Sequence, residues 1–154
     1  MRTVAVAAVI SLIALGTARS QQQQSSANKQ VINRPGAPAG VLSPAVRVGD
    51  LLFLSGVMGT KAGGGGLVEG GIEEQTRQAL ENVRASLALA GATLSDVAKC
   101  TVFLTDAANF QGMNKAYREF FPTDPPARST VAVAALVLPN ALLEVECIAA
   151  VPKK

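Results

Sequence analysis

The chain has 154 residues, no histidine, two cysteines and a formal net charge of +3. The lack of an imidazole excludes Ser-His-Asp and Cys-His nucleophilic sites, and two distant cysteines without histidine argue against a zinc site. The sequence also has no Asp-rich loop of the EF-hand kind, so we predict no metal site. The net charge is small and no Lys/Arg cluster is present, so we predict no nucleic-acid partner.

The first twenty residues are predicted to be a signal peptide. Arg2 precedes an apolar run from Thr3 to Leu15, and Ala18-Arg19-Ser20 offers small residues for cleavage after Ser20. A membrane anchor is the alternative, but a spanning helix needs ~20 apolar residues and this run is shorter. We therefore expect an exported protein, periplasmic or secreted, with no membrane association after signal removal.

Residues 21–38 are rich in Gln and Ser and are interrupted by proline. Such a segment cannot bury enough apolar surface to order itself, so it is predicted to be a flexible polar linker. Residues 39–154 then form one domain of ordinary size.

The domain is predicted to begin with a hairpin. Val46–Val48 and Leu51–Ser55 are apolar and flank Gly49-Asp50, a typical turn, and Val57–Thr60 is a further strand candidate. The glycine-rich segment Lys61–Gly71 does not end in the Gly-Lys-Ser/Thr of a phosphate-binding loop. A flexible loop or hairpin is the simpler interpretation.

Two helices and a strand are predicted for the middle of the domain. Apolar residues recur at helical spacing from Ile72 to Ala90, and Lys99–Thr105 alternates and is rich in β-branched residues. A second helix is predicted over about Asn109–Phe121. Its inner face would carry Phe110, Met113, Tyr117 and Phe120 or Phe121.

Two final strands are predicted over Ser129–Leu138 and Leu142–Val151, joined by a tight turn at Pro139-Asn140. One face of the last strand is wholly apolar and suits the two helices as cover, whereas the other carries Glu144 and Glu146. The sequence offers no third helix for that second face. Another copy of the chain would cover it, so we expect a symmetric oligomer with sites between subunits.

Cys100 and Cys147 both lie in apolar, strand-like segments. Export would permit a disulfide, but the sequence does not show whether the two strands meet. Because free cysteine is among the most buried residue types, we predict two buried free thiols, with a disulfide as the alternative.

Arg128 is the strongest candidate for binding chemistry. It follows a proline-stiffened loop at the start of a predicted strand, where its planar donors could hold both oxygens of a substrate carboxylate. Glu144, on a second strand, could handle water or a proton. The alternative for Arg128 is an interface ion pair with Glu144 or Glu146.

Several separated segments resemble, in order and spacing, the reactive-intermediate deaminase family, also called the Rid or YjgF-type family. The segments are Leu54-Ser55-Gly56, Ile72–Gly91, Lys99–Phe103, Met113–Tyr117 with Phe120-Phe121, Pro126–Ser129 and Leu143–Glu146. The resemblance covers roughly Val41–Val151. It implies a chorismate-mutase-like α+β fold, in which a mixed sheet carries two helices on one face, and a homotrimer with ligand pockets at the subunit interfaces.

The resemblance also implies an activity, the hydrolysis of 2-imino acids or their enamine tautomers to 2-keto acids and ammonia without a cofactor. Arg128 would bind the carboxylate of a small imine or keto-acid ligand, and Glu144 would orient water or shuttle its proton. The pocket would further contain Asn114, Ser55, Gly56 and Thr130.

The chain departs from the family pattern at Leu42, where many imine deaminases have a pocket tyrosine, and at Thr130, where cysteine is common. Loss of the phenol should make the pocket more apolar and change which imines fit. The alternative function is therefore a non-catalytic trimeric scaffold that binds small molecules or protects proteins. Endoribonuclease activity is a third possibility, which the missing histidine and low charge disfavour.

Overall fold

The computed structural model describes residues 28–36 and 40–151. The predicted signal peptide lies outside these residues, as does half of the predicted linker. Within the linker, however, Lys29–Ile32 forms strand β1, which pairs antiparallel with Ala45–Val48, strand β2. The prediction of a wholly flexible linker over 21–38 is therefore wrong for this strand, because backbone pairing with a sheet edge orders residues whose side chains stay largely exposed.

One mixed sheet forms the centre of the fold. After β1 and β2 come β3 (Leu51–Leu54), β4 (Val57–Met58), helix α1 (Ile72–Leu89), β5 (Val97–Leu104), helix α2 (Phe110–Phe120), β6 (Ala127–Ala132) and β7 (Leu143–Ala150). The strand order is β1-β2-β3-β7-β5-β6, and β4 also pairs with β7. β5 and β6 are parallel, whereas the other pairs are antiparallel.

The predicted β2–β3 hairpin is confirmed, with Gly49 at φ +60° in its two-residue turn. Both helices and β5 lie within two residues of their predicted bounds. A single bridge from Thr60 to Leu67 closes the glycine-rich segment into a loop. No helix in the described part of the chain is long and apolar enough to cross a membrane.

The C-terminal strands differ from the prediction in length and pairing. β6 ends at Ala132, so the predicted strand Ser129–Leu138 is too long, although the turn at Pro139-Asn140 is present with Asn140 at φ +64°. β6 and β7 do not form a hairpin, because β5 lies between them. β6 pairs parallel with β5, and parallel neighbours require a crossover connection, here containing α2.

The helices cover one face of the sheet and leave the other open. Leu143, Val145, Cys147 and Ala149 of β7 are buried, while Glu146 and Ala150 on the other face are exposed, as the alternation predicted. On α2, Met113 and Tyr117 are buried as expected. The prediction that Phe110 faces the core is wrong, because this first residue of α2 borders an open cavity and stays 38% exposed.

The two cysteines form a disulfide between β5 and β7. The antiparallel register places Cys100 directly opposite Cys147, with Cα atoms 4.1 Å apart, on the face that the helices cover. The prediction of burial is confirmed, since both are at most 2% exposed. The prediction of free thiols is wrong, because adjacent strands bring both side chains to the same point of the core.

Candidate functional site

Arg128 is held between strand β6 and helix α2. It pairs in register with Cys100, so its side chain lies on the face of the sheet that the helices cover, and it is half-buried. Its Nη2 donates a hydrogen bond to Asn114 Oδ1 at 2.5 Å, and its Nη1 lies 3.7 Å from Met113 Sδ. The guanidinium carbon lies 4.6 Å from the centre of the Tyr117 ring, a cation–π contact.

The local sequence explains this placement. Pro125 and Pro126 restrict the backbone directly before β6, and the edge position of the strand tolerates residues without an N–H donor. Asp124 adopts φ +46°, which turns the chain into the strand. Arg128, the second residue of β6, therefore follows a stiff loop, as the sequence predicted.

No carboxylate neutralises Arg128 within the described residues. The ion pairs found there, at distances up to 4.0 Å, belong to Arg77, Arg84 and Lys115. An ion pair with Glu144 or Glu146, the alternative from the sequence, is thus not made within one protomer. Among the described residues, the guanidinium contacts neutral groups, namely the Asn114 amide, the Met113 thioether and the rings of Tyr117 and Phe110, the latter at 5.9 Å.

An open cavity of about 310 Å³ lies next to Arg128. Asn114, Tyr117 and Arg118 of α2 line one side, and Phe121 with the two prolines completes the wall. This volume is at the small end of the range for ligand pockets. The guanidinium is therefore partly buried and has space beside it for a small anion.

Glu144, Ser55 and Gly56 form a second group, away from Arg128. Glu144 lies on the open face of β7 and is half-buried. A Cβ atom added to Gly56 would overlap Glu144 Oε1 and come within 2.9 Å of its Cδ, so the carboxylate lies directly against the glycine backbone. Ser55 Oγ donates a hydrogen bond to the Ser43 carbonyl at 2.6 Å.

The two groups do not meet within one protomer. Arg128 projects toward the helices, whereas Glu144 projects from the opposite face of a strand two positions away in the sheet. Two strand spacings alone separate them by roughly 10 Å. Thr130 is half-buried on the same face of β6 as Arg128 and lines a separate cavity of about 280 Å³ beside Phe110.

Tyr117 and Arg118 belong to the surroundings of Arg128 but were not predicted as site residues. A local signal for both exists, because positions three and four residues after Asn114 lie on the same face of a helix. Burial raises the pKa of Tyr117 to about 12, although the nearby charge of Arg128 opposes the rise. The buried hydroxyl of Tyr117 has no hydrogen-bond partner among the described residues.

Leu42 occupies the position at which many family members are expected to have a pocket tyrosine. In the protomer this residue is 64% exposed. Its effect on the pocket stays a prediction. Within the described ranges, no group of three His, Cys, Asp or Glu side chains is placed to hold a metal ion.

Comparison with known proteins gives consistent matches over the described domain. A profile of the family described as "Endoribonuclease L-PSP" matches residues 31–151. Reactive Intermediate Deaminase A, chloroplastic, of Arabidopsis thaliana is 45% identical over 127 residues, covering 81% of this chain and 67% of that protein. A 2-iminobutanoate/2-iminopropanoate deaminase of Dermatophagoides farinae is 39% identical over 122 residues, covering 78% of this chain and 94% of that protein.

Solved structures agree with these relatives. RidA from an Antarctic Psychrobacter species matches with a TM-score of 0.71 at 36% identity, covering 79% of this chain and 99% of that one. A protein described as a putative endoribonuclease from Thermotoga maritima matches with a TM-score of 0.72 at 42% identity, covering 81% of this chain and 98% of that one. The chain therefore belongs to the reactive-intermediate deaminase (Rid, YjgF-type) family and has its chorismate-mutase-like α+β fold, as the sequence predicted.

Proposed function

We propose that the protein hydrolyses 2-imino acids, or the enamines that tautomerise to them, to 2-keto acids and ammonia. The observation that carries this proposal is Arg128, which has no carboxylate partner among the described residues and lies beside an open cavity. Water adds to the protonated C=N carbon, the C–N bond breaks, and the carbon keeps the oxygen as a ketone while nitrogen leaves as ammonium. No electrons are gained or lost, so the reaction needs no redox partner.

Arg128 would bind the substrate carboxylate. A guanidinium has five N–H donors, and the contacts with Asn114 and Met113 use the two terminal nitrogens only in part. The remaining donors can form a bidentate pair with a carboxylate. Holding the acid in this way fixes the imine carbon relative to the attacking water, which is the main requirement when the carbon is already electrophilic.

Glu144 would act from a neighbouring copy of the chain. Arg128 and Glu144 lie on opposite faces of one sheet, so a site that uses both needs two protomers. Apolar residues on the open face support such an assembly, since Val48, Leu51 and Phe53 are 44%, 44% and 41% exposed. We propose a homotrimer, in which each interface joins Arg128 of one subunit to Glu144 of the next.

In this assembly Glu144 orients the water or accepts its proton, a role typically worth ~10²–10⁴-fold in rate. Gly56 lets the carboxylate approach the backbone closely, and Ser55 is fixed by its bond to the Ser43 carbonyl. Asn114 positions Arg128, while Thr130 lines the separate cavity beside Phe110.

Export is proposed together with this activity. Disulfides form and persist mainly in oxidising compartments, and the Cys100–Cys147 bond lies in the centre of the fold. This bond supports a periplasmic or secreted protein, in agreement with the predicted signal peptide.

Activity should be tested with 2-aminoacrylate and 2-iminobutanoate generated in situ, following release of ammonia. We expect the protein to accelerate hydrolysis and Arg128→Ala to abolish the acceleration, whereas Arg84→Ala, which alters an exposed ion-paired arginine, should not. Equal rates for buffer, protein and Arg128→Ala would refute the proposal. Keto-acid binding without turnover would instead favour the scaffold, and RNA cleavage lost in Arg128→Ala would favour a ribonuclease.

The shared site has its own test. Arg128→Ala and Glu144→Gln should each be inactive alone, but refolding them together should restore activity. Random mixing in a trimer places both native residues at about a quarter of the interfaces, so about a quarter of the normal activity is expected. If the mixture stays inactive although mixed trimers form, the two residues do not share a site between subunits.

A further inference from the structure

A second arginine, Arg118, lines the cavity beside Arg128. Arg118 lies one helical turn after Asn114, the residue that binds Arg128, and both arginines line the same space of about 310 Å³. Among the described residues of the protomer, no acidic side chain lines this cavity. The other lining residues are one amide, two aromatic residues and two prolines, none of which is charged. The electrostatic potential inside the cavity is therefore positive.

Arg118 also lacks an acidic partner within 4.0 Å among the residues that the structure describes. Its neighbour in sequence, Glu119, is already paired with Arg77 at 2.7 Å. Two positive charges that face one small cavity repel each other, and walls of low polarity strengthen that field. An anion with two negative groups would relieve the repulsion at both arginines.

We propose that Arg118 selects substrates with a second carboxylate, so that the preferred substrates are 2-imino dicarboxylic acids. The carboxylate next to the imine binds half-buried Arg128, and the distal carboxylate binds Arg118 at the exposed side of the cavity. The inference rests on the proposed function and specifies its substrate class. Arg118 is then a specificity-determining residue that does not contact the reacting carbon.

The spacing of the helix suits a short diacid. Residues four positions apart on a helix have Cβ atoms about 5–6 Å apart, so Asn114 with its bound guanidinium and Arg118 are neighbours on α2. Tyr117 lies between them in sequence, beneath Arg128. A chain of few carbons with a carboxylate at each end can therefore contact both arginines.

The test compares 2-iminoglutarate with 2-iminobutanoate, each generated in situ by an amino-acid oxidase. We expect kcat/KM for the diacid to be about tenfold higher, the effect of one additional charge-assisted contact that is partly exposed. Arg118→Gln should lower kcat/KM for the diacid about ten times more than kcat/KM for 2-iminobutanoate, while Arg118→Lys should keep part of the preference for the diacid. Arg34→Gln, a loss of the same charge outside this cavity, is the matched control.

Binding separates failure of this inference from failure of the proposed function. Calorimetry on the full chain should show tighter binding of 2-oxoglutarate than of 2-oxobutanoate, with the difference lost in Arg118→Gln, even if neither imine is hydrolysed. An equal preference for the diacid in wild type and Arg118→Gln overturns the role of Arg118. No preference for the diacid, in binding or in turnover, overturns the substrate class.

Discussion

The hydrogen bond from the Arg128 guanidinium to Asn114 Oδ1 joins the edge strand β6 to helix α2. Because the amide oxygen is neutral, it orients the guanidinium without cancelling its charge. The Tyr117 ring supports the same group from a distance of 4.6 Å. A cation held by neutral partners keeps its full attraction for an anionic ligand.

Replacement of Asn114 by Asp should therefore weaken substrate binding. The variant keeps the size of the side chain but places a carboxylate against Arg128, where it competes with the substrate. We expect KM for 2-imino acids to rise about tenfold or more, since one charge-assisted pair is worth that much. Steady-state kinetics tests this, with Gln30→Glu at an exposed position of strand β1 as the charge-matched control. An unchanged KM in Asn114→Asp would show that Arg128 does not bind the carboxylate.

Gly56→Ala should lower kcat while leaving the fold intact. Gly56 does not adopt a left-handed backbone, so the cost of alanine arises from space, where the new methyl group would displace the Glu144 carboxylate. If Glu144 positions water, we expect kcat to fall by ~10²-fold with little change in KM. Gly71→Ala, whose added methyl group would lie 3.9 Å from the nearest side chain, is the control. Normal kcat in a folded Gly56→Ala variant would argue against a role for Glu144.

The local elements could be predicted from the sequence because each has a pattern of its own. The alternation in β7 and the apolar stripe of α1 arise from burial on one side, which a sequence displays directly. β1 was missed because its residues are ordered by backbone pairing and remain mostly exposed. Its two apolar residues, Val31 and Ile32, form too short a run to stand out from the Gln- and Ser-rich residues before them.

The arrangement of the site could be predicted only in part. The sequence proposed Arg128 and Glu144 as site residues, but their placement on opposite faces depends on β5 lying between β6 and β7. Strand order is a property of the whole chain, and no local pattern records it. The same order determines that Cys100 and Cys147 meet, which is why burial was predicted correctly and the disulfide was not.

The disulfide should contribute much of the stability. It closes a loop with a sequence separation of 47 residues, for which the chain-entropy relation gives about 4 kcal/mol. We expect Cys100→Ala/Cys147→Ala to lower the free energy of unfolding by about 2–4 kcal/mol, measured by denaturant titration. A reductant should destabilise wild type during unfolding but have no effect on the double variant. Equal stability of wild type with and without reductant would show that the bond does not form.

Tyr117 should make stability fall at high pH. Burial raises the pKa of Tyr117 in the folded state to about 12, above the usual value near 10 in the unfolded chain. Between pH 10 and 12 the unfolded chain therefore loses this proton while the folded protein keeps it, which shifts the equilibrium toward the unfolded state. We expect a loss of about 1–2 kcal/mol as the pH rises through this window, a value kept below that of the full pKa difference because Tyr117 borders an open cavity. Tyr117→Phe should be nearly as stable at neutral pH, because the hydroxyl has no partner among the described residues, and should lack this part of the decline.

Since Tyr117 is the chain's only tyrosine, tyrosinate absorbance gives its titration directly. A midpoint near 10 in the folded protein, or parallel pH profiles for the two proteins, would contradict the burial of this hydroxyl.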